Sequence, residues 1–446
     1  MLKEFVLLLS HKFFKYFINF LFIRKCAMSV GLKNSWPLFL GMLMLMIGNG
    51  LQGTLLGVRG GIEGFSPGVM SLVMSGYYIG ILGGSKLAPL MINRVGHVRV
   101  FAALASLISA CFILFPAFPS EFVWFILRVI VGFCFSGVYV VSESWLNDIS
   151  TNTNRGKILS FYLIIQTLGI VLAQLLLNFA DPNGYSLFII ASVVLSLSFT
   201  PILLSVTPAP PFDTTKPMGL KGLYKTSPLG VVGLFLLGAI FGALFGMTAI
   251  FGTESGMSLS QISIFVAIIY LGGMLFQMPI GWLSDRMDRR YLIIILSFIG
   301  AFFSLIIFII SYNFFIYLIF AFIIGGMSNP LYSLFIAYTN DFLDHDDMAA
   351  AAGGLVFING LGAIIGPVIV GLLMSNFGPD SFFAYVGVIL VLTSAYALYR
   401  NTQRDSPSVE ETSSYTPITS SSSPVAVEVA QEIAIEAALG DLDKEI

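Results

Sequence analysis

Gly281-Trp282-Leu283-Ser284-Asp285-Arg286-Met287-Asp288-Arg289-Arg290 is the stretch on which the reading of this chain turns. It packs acids and arginines into one short turn, and long apolar runs flank it, one beginning near Gln261 and the next near Tyr291. A membrane-spanning helix needs about 20 mostly apolar residues, because backbone polar groups find no partner in hydrocarbon. Both runs are long enough. A charged turn strung between two of them predicts a polytopic, all-helical membrane chain.

A degraded copy of the turn lies 192 residues earlier: Asn93-Arg94 falls where Asp285-Arg286 stands later. At the same offset Gly64-Phe65-Ser66 matches Gly256-Met257-Ser258, Ser71 matches Ser263, and Tyr78-Ile79-Gly80 matches Tyr270-Leu271-Gly272. With one residue inserted, Gly132, Tyr139 and Asn147-Asp148 match Gly325, Tyr332 and Asn340-Asp341. The chain is therefore a duplication. Working outward from the turns gives twelve candidate spans, beginning near Trp36, Pro67, Val98, Glu121, Lys157, Ser186, Gly230, Gln261, Tyr291, Phe314, Ala351 and Phe382.

These spans divide into a first six-helix bundle at 35–206 and a second at 229–400, joined by a loop at 207–228. Residues 1–34 read as a cytoplasmic or interfacial segment, of which 1–27 are alternatively an over-extended start with Met28 as the initiator. Residues 401–446, rich in Ser, Thr, Glu and Asp, read as a disordered cytoplasmic tail.

Composition agrees with a lipid solvent. Hydrophobic residues make up 57% of the chain and charged residues 10%, against about 25% in soluble domains. The net charge of −2 gives no surface for nucleic acid. Cys26, Cys111 and Cys134 are too few and too scattered for a disulfide framework, and three histidines make a metal centre unexpected. No cofactor is expected, no phosphate-binding glycine loop appears, and no clustered His, Asp or Ser suggests an enzyme.

With both termini placed in the cytoplasm, all the lysines and arginines except Arg59, Lys86 and Arg128 fall in inside loops or tails. The positive-inside rule then fixes the expected orientation. Those three exceptions lie at membrane depth or its edge. If two of them faced a common cavity, its potential would be positive and an organic anion would be the expected solute. Further cavity candidates are polar or aromatic residues near mid-depth in both halves: Asn49, Gln52, Tyr78, Gln166, Tyr270, Gln277, Asn329, Tyr332 and Asn359. Asn49 and Gln52 are three apart on one helix and are expected to share a face.

The Gly281–Arg290 segment resembles the loop signature of the major facilitator superfamily, G-x-L-x-D-R-x-G-R-R, with Asp288 in place of the second glycine. In the first-half copy Pro89 replaces the glycine and Asn93 the aspartate. The resemblance implies that Arg94, Asp285, Arg286, Arg289 and Arg290 belong to a cytoplasmic latch. Arg128-Val129-Ile130-Val131-Gly132 is similar to the family's R-x-x-x-G element, which implies a role for Arg128 in coupling or solute handling. Arg128 sits seven residues into its span, roughly 10 Å deep at about 1.5 Å per residue.

Tyr139-Val140-Val141-Ser142-Glu143, followed by Asn154-Arg155-Gly156, resembles the end of the family's fourth helix and the loop after it. Glu143 is expected to pair with Arg155 or Arg94, and it is the candidate protonatable group. Gly362-Ala363-Ile364-Ile365-Gly366-Pro367 looks like the G-x-x-x-G-P element that drug antiporters carry on their fifth helix, displaced here to the eleventh. Small residues four apart let helices approach closely, so Gly362, Gly366 and Pro367 are read as packing residues.

From about Ser35 to Arg400 the chain resembles the YcaD-like branch of bacterial permeases. That implies a multi-pass inner-membrane transporter of a small solute, expected to work by alternating access with proton coupling and no obligate protein partner. A non-transporting sensor or scaffold remains the alternative.

Overall fold

The computed structural model describes residues 35–151, 154–203, 218–309, 313–404, 407 and 412–442. The expectations for residues 1–34, including Cys26, and for the first part of the 207–228 loop lie outside the described residues. Among the described residues, twelve helices are long and apolar enough to cross a membrane. They are α1 (Trp36–Ile62), α2 (Pro67–Val95), α3 (His97–Ala117), α4 (Glu121–Asp148), α5 (Arg155–Leu176) and α6 (Ser186–Ser198, continued by Thr200–Leu203 to complete the span) in the first half. The second half holds α7 (Pro228–Gly246), α8 (Leu259–Ser284), α9 (Arg289–Ile309), α10 (Phe314–Asn340), α11 (His345–Phe377) and α12 (Ser381–Asn401). A further long helix, α13 (Pro424–Leu442), follows in the tail.

Starts agree with the sequence reading to within two residues, save for α11. That helix begins at His345, before the apolar run at Ala351, because a helix can carry a polar first turn that hydropathy does not register.

The duplication is physical. Gly64 and Gly256 both take left-handed backbone (φ 78° and 70°), and Ser66 and Ser258 then cap α2 and α8 by accepting from Val69 N and Gln261 N. A glycine relieves the Cβ clash of that conformation, and the serine satisfies a helix-end donor. Gly80 and Gly132 press α2 against α4, where a Cβ on either would meet the carbonyl of Val129 or Tyr77. Gly272 and Gly325 do the same for α8 and α10, against Phe322 and Ile269. Gly362 and Gly366 bring α11 onto the backbone of Phe235 and Ala239 in α7, with Pro367 against Gly242.

The halves meet face to face, α2 along α11, α1 against the helical extension of α7 (Thr248–Glu254), and α5 against α8. At the end remote from the Asp285–Arg290 turn they are sealed. Asn178 donates to Ser263 Oγ (3.1 Å) and accepts from Ser260 (2.8 Å), Gly68 N donates to Ser375 Oγ (2.9 Å), and Ser75 donates to Ile364 O (2.8 Å). Arg59 belongs to this end. It pairs with Glu63 (2.5 Å) and donates to the carbonyls of Pro182 and Asn183, clamping the α5–α6 turn to α1.

At the opposite, basic end the tail corrects the expectation of disorder. Residues 412–423 run as an extended segment into the opening between the halves, and α13 packs against α11, α4 and α5. Ile418, Ala426, Val427, Val429, Ala430 and Ala434 are buried there. Serine and threonine content alone reads as a solvated tail, yet these apolar residues recur at helical spacing, and the hydroxyls find partners in the opening.

Candidate functional site

A cavity of about 360 Å³ lies between the halves at mid-depth, beneath the tail. Its walls are mostly apolar, and that size suits a small organic molecule. Asn49 (α1), Tyr78 (α2), Gln166 (α5), Tyr270 and Gln277 (α8), Asn329 (α10) and Asn359 (α11) all line it. The sequence reading placed each of them near mid-depth, and the structure brings them to one space.

Polar groups are used locally. Asn49 donates to Tyr139 Oη and accepts from Tyr77, both at 3.2 Å. Tyr78 donates to Phe241 O (3.4 Å), Asn359 to Leu234 O (3.0 Å) and Asn329 to Gly325 O (3.0 Å). Tyr270 stacks on Phe245, which stacks on Phe241, with centroids 4.8 and 5.4 Å apart. The result is an aromatic slab contributed by α7 and α8.

A second, smaller space of about 70 Å³ continues toward the sealed end. It shares Asn49, Tyr77, Tyr78, Phe245 and Tyr270 with the large cavity and adds Thr54, Arg128, Gln174 and Thr248. Arg128 is buried with its guanidinium 4.7 Å from the Tyr77 ring centre, and its Nε has no hydrogen-bond partner. Among the described residues it forms no ion pair, and no carboxylate lines either space.

Several expected positions are corrected. Gln52 is buried in the helix packing and lines neither space, and both ends of its amide are unpartnered. Three residues turn a helix about 60° short of a full revolution, enough to carry Gln52 off the face of Asn49. Tyr332 stands behind Phe241, ring centres 6.3 Å apart, fully buried and outside the lining. Of the three deep basic residues only Arg128 reaches the cavities; Lys86 is exposed on the outer face of α2 and Arg59 is the clamp described above.

Among the described residues, Glu143 has no arginine partner. It accepts from Tyr162 Oη (3.2 Å) and from the backbone N–H of Ser423 in the tail (2.9 Å). Arg155 reaches the tail as well, pairing with Glu432 at 2.7 Å, while Arg94 is exposed. The buried carboxylate faces the opening, so the tail meets it before either arginine can.

The Asp285–Arg290 turn also engages the tail. Asp285 accepts from Tyr415 N (2.8 Å) and lies 3.9 Å from Arg289. Arg289 is buried, binds Asp341 at 2.5 Å and donates to the Ser413 carbonyl. Arg290 pairs with Asp288 (3.0 Å) and donates to Arg404 O (2.6 Å), and Arg286 stacks on Trp282 (4.3 Å).

The residues that sequence reasoning missed are Tyr77, Tyr139, Ser333 and the tail itself. Tyr139 had a signal: it lies eleven residues after Arg128, three helical turns on, hence on the same face of α4.

A family model for the major facilitator superfamily matches residues 38–274 and again 230–439. The chain belongs to that superfamily. Among its relatives is an uncharacterized superfamily-type transporter, YcaD, of Escherichia fergusonii, 26% identical over 370 residues, covering 81% of this chain and 94% of the relative. The Escherichia coli YcaD is likewise 26% identical, over 354 residues that span 78% of this chain and 91% of its own. The fold is similar to the crystal structure of the nucleoside transporter NupG, with a TM-score of 0.68, 13% identity, and coverage of 83% and 99%. It is also similar to a bacterial homolog of the human lysosomal transporter Spinster in an inward-facing, occupied conformation, with a TM-score of 0.68, 14% identity, and coverage of 84% and 98%. This is accordingly a multi-pass membrane protein of a transporter superfamily, and its mid-depth cavity lies between two duplicated halves, where such proteins hold their solutes.

Proposed function

We propose that this protein is a secondary active transporter that moves an amphipathic organic anion by alternating access, coupled to protons. The observation that carries the anion is Arg128: one buried guanidinium, without an ion pair among the described residues, in the small space that continues from the apolar cavity, neither space being lined by a described carboxylate. An unpaired buried charge is costly, and a solute carboxylate or phosphate would offset that cost with charge-assisted hydrogen bonds. The aromatic slab of Phe241, Phe245 and Tyr270 would hold the solute's apolar body.

Glu143, a buried carboxylate within a span that lines a small space of its own against the tail, is the proposed proton-carrying group. The basic end is the proposed cytoplasmic face, as the distribution of lysine and arginine supports. No observation here favours the sensor or scaffold reading over transport.

A thermal-shift panel of organic acids, nucleosides, sugars and lipophilic cations tests this. A ligand at 100 times its Kd stabilises the state it binds by about 2.7 kcal/mol. Shifts among the acids that vanish in Arg128→Met are expected, followed by flux of the same acids into vesicles. Shifts confined to nucleosides, sugars or cations would overturn the anion.

A further inference from the structure

The opening at the basic end holds a peptide, and the peptide is this chain's own tail. Ser333 at the second half's rim grips one residue from both sides, donating to Ile418 O and accepting from Ile418 N, each at 3.0 Å. Gln277 also donates to Ser333 (2.8 Å) and leans toward the same carbonyl (3.5 Å). Across the gap Glu143 accepts from Ser423 N, and Gln166 accepts from Thr419 Oγ1 at 3.4 Å. Asp285 and Asp341 take up the backbone N–H groups of Tyr415 (2.8 Å) and Ser413 (3.1 Å). Gln431 donates to Asn340 Oδ1 (2.9 Å) and Glu432 binds Arg155.

Two features set this apart from a loose end lying in a groove. Backbone N–H groups are matched one by one to fixed acceptors, which is how a binding site reads an extended segment. Both halves are engaged by the same segment, the first through Glu143, Arg155 and Gln166 and the second through Gln277, Ser333, Asn340, Asp285 and Asp341. The segment also forms the roof of the cavity, since Pro417 through Ser423 are among its lining residues. Charge agrees at the one ion pair this stretch makes, since residues 424–442 hold four acids and no lysine or arginine, and Glu432 pairs with Arg155.

We infer that the basic end of the bundle is a binding site for residues 413–434 of the same chain, and that this docked tail is an internal inhibitor. It roofs the cavity and ties the halves together in the arrangement that is sealed at the far end. This builds on the transporter reading, because it assigns a regulator to the same cavity. Solute exchange at the basic end then requires the tail to leave.

The test reads cavity access, which does not depend on any solute. In full-length protein with Cys26, Cys111 and Cys134 replaced by alanine, Thr167→Cys places one thiol in the cavity wall. A polar maleimide is expected to label it slowly, and at least tenfold faster when Ile418→Asp evicts the tail. In a second variant Asn340→Cys and Gln431→Cys are joined by oxidation to lock the tail in place. Labelling at position 167 should then be suppressed and return with reductant.

Unchanged labelling in both variants overturns the inference. So does a lock that forms between two chains, seen as a dimer band without reductant. If Ile418→Asp opens the cavity and yet no solute is carried into vesicles, the transporter reading fails while the tail site stands.

Discussion

Replacing Arg128 with methionine should make the empty protein more stable while abolishing anion binding. A charge held inside a bundle costs several kcal/mol even after relaxation. The orphaned Nε is one part of that cost, about 1–3 kcal/mol. Methionine loses the contact with the Tyr77 ring, centred 4.7 Å from the guanidinium, worth about 2 kcal/mol where desolvated. It also fills the volume imperfectly, for a penalty under about 1.5 kcal/mol. The balance favours the variant by roughly 1–3 kcal/mol. Thermal unfolding in detergent of wild type and Arg128→Met, each with and without the best acidic ligand, reads both halves of the prediction. Because membrane bundles unfold irreversibly, both should be scanned at one rate. A variant that melts below wild type would show that Arg128 is a structural strut. A variant that still gains stability from acids would place the anion elsewhere.

Three further outcomes follow from particular contacts. Gly362→Leu should abolish monodisperse protein in size-exclusion chromatography, because its side chain would collide with the Phe235 carbonyl, whereas Gly353→Ala on the same helix meets nothing within 4 Å and should be tolerated. Arg289→Met should destabilise by about 3–5 kcal/mol by stranding the Asp341 carboxylate, and adding Asp341→Leu should recover most of the loss in denaturation assays. Glu428 in α13 is pushed up to about 7, first by burial and then by Glu432 one turn on, itself paired with Arg155. Docking therefore holds the protonated form: it is at full strength below the carboxyl's ordinary range and weakens as pH rises through about 7. Spin labels at Lys157→Cys and Val425→Cys should report one short distance at acid pH and a growing long component above neutrality, and Glu428→Gln should remove that change.

What the sequence disclosed and what it withheld have separate physical causes. Span positions were legible because hydrocarbon demands apolar length, and the duplication because Gly64 and Gly256, or Gly80 and Gly272, answer to backbone sterics that the sequence must satisfy twice. Seven cavity residues were legible from depth alone. Depth does not give azimuth, so Gln52 and Tyr332 turned out to face packing. The partner of Glu143 was not legible at all: a carboxylate's nearest basic residue in the chain says nothing about a backbone N–H arriving from 280 residues away. The tail was misread because composition describes its solubility when free, and docking depends on the shape of the opening it enters.

The glycine contacts have a mechanical corollary. Within each half, helices touch backbone to backbone at Gly80, Gly132, Gly272 and Gly325, which leaves no side chain there to yield. On the alternating-access proposal, the seam between the halves is where motion would fall, and at the sealed end the directional part of that seam is a handful of neutral hydrogen bonds: Asn178 to Ser260 and Ser263, Gly68 to Ser375, Ser75 to Ile364. At about 0.5–1.5 kcal/mol each they sum to a few kcal/mol. A swing from one population extreme to the other takes roughly 5.5 kcal/mol of differential binding. The seam's toggle is thus set near the energy that one well-held solute can supply.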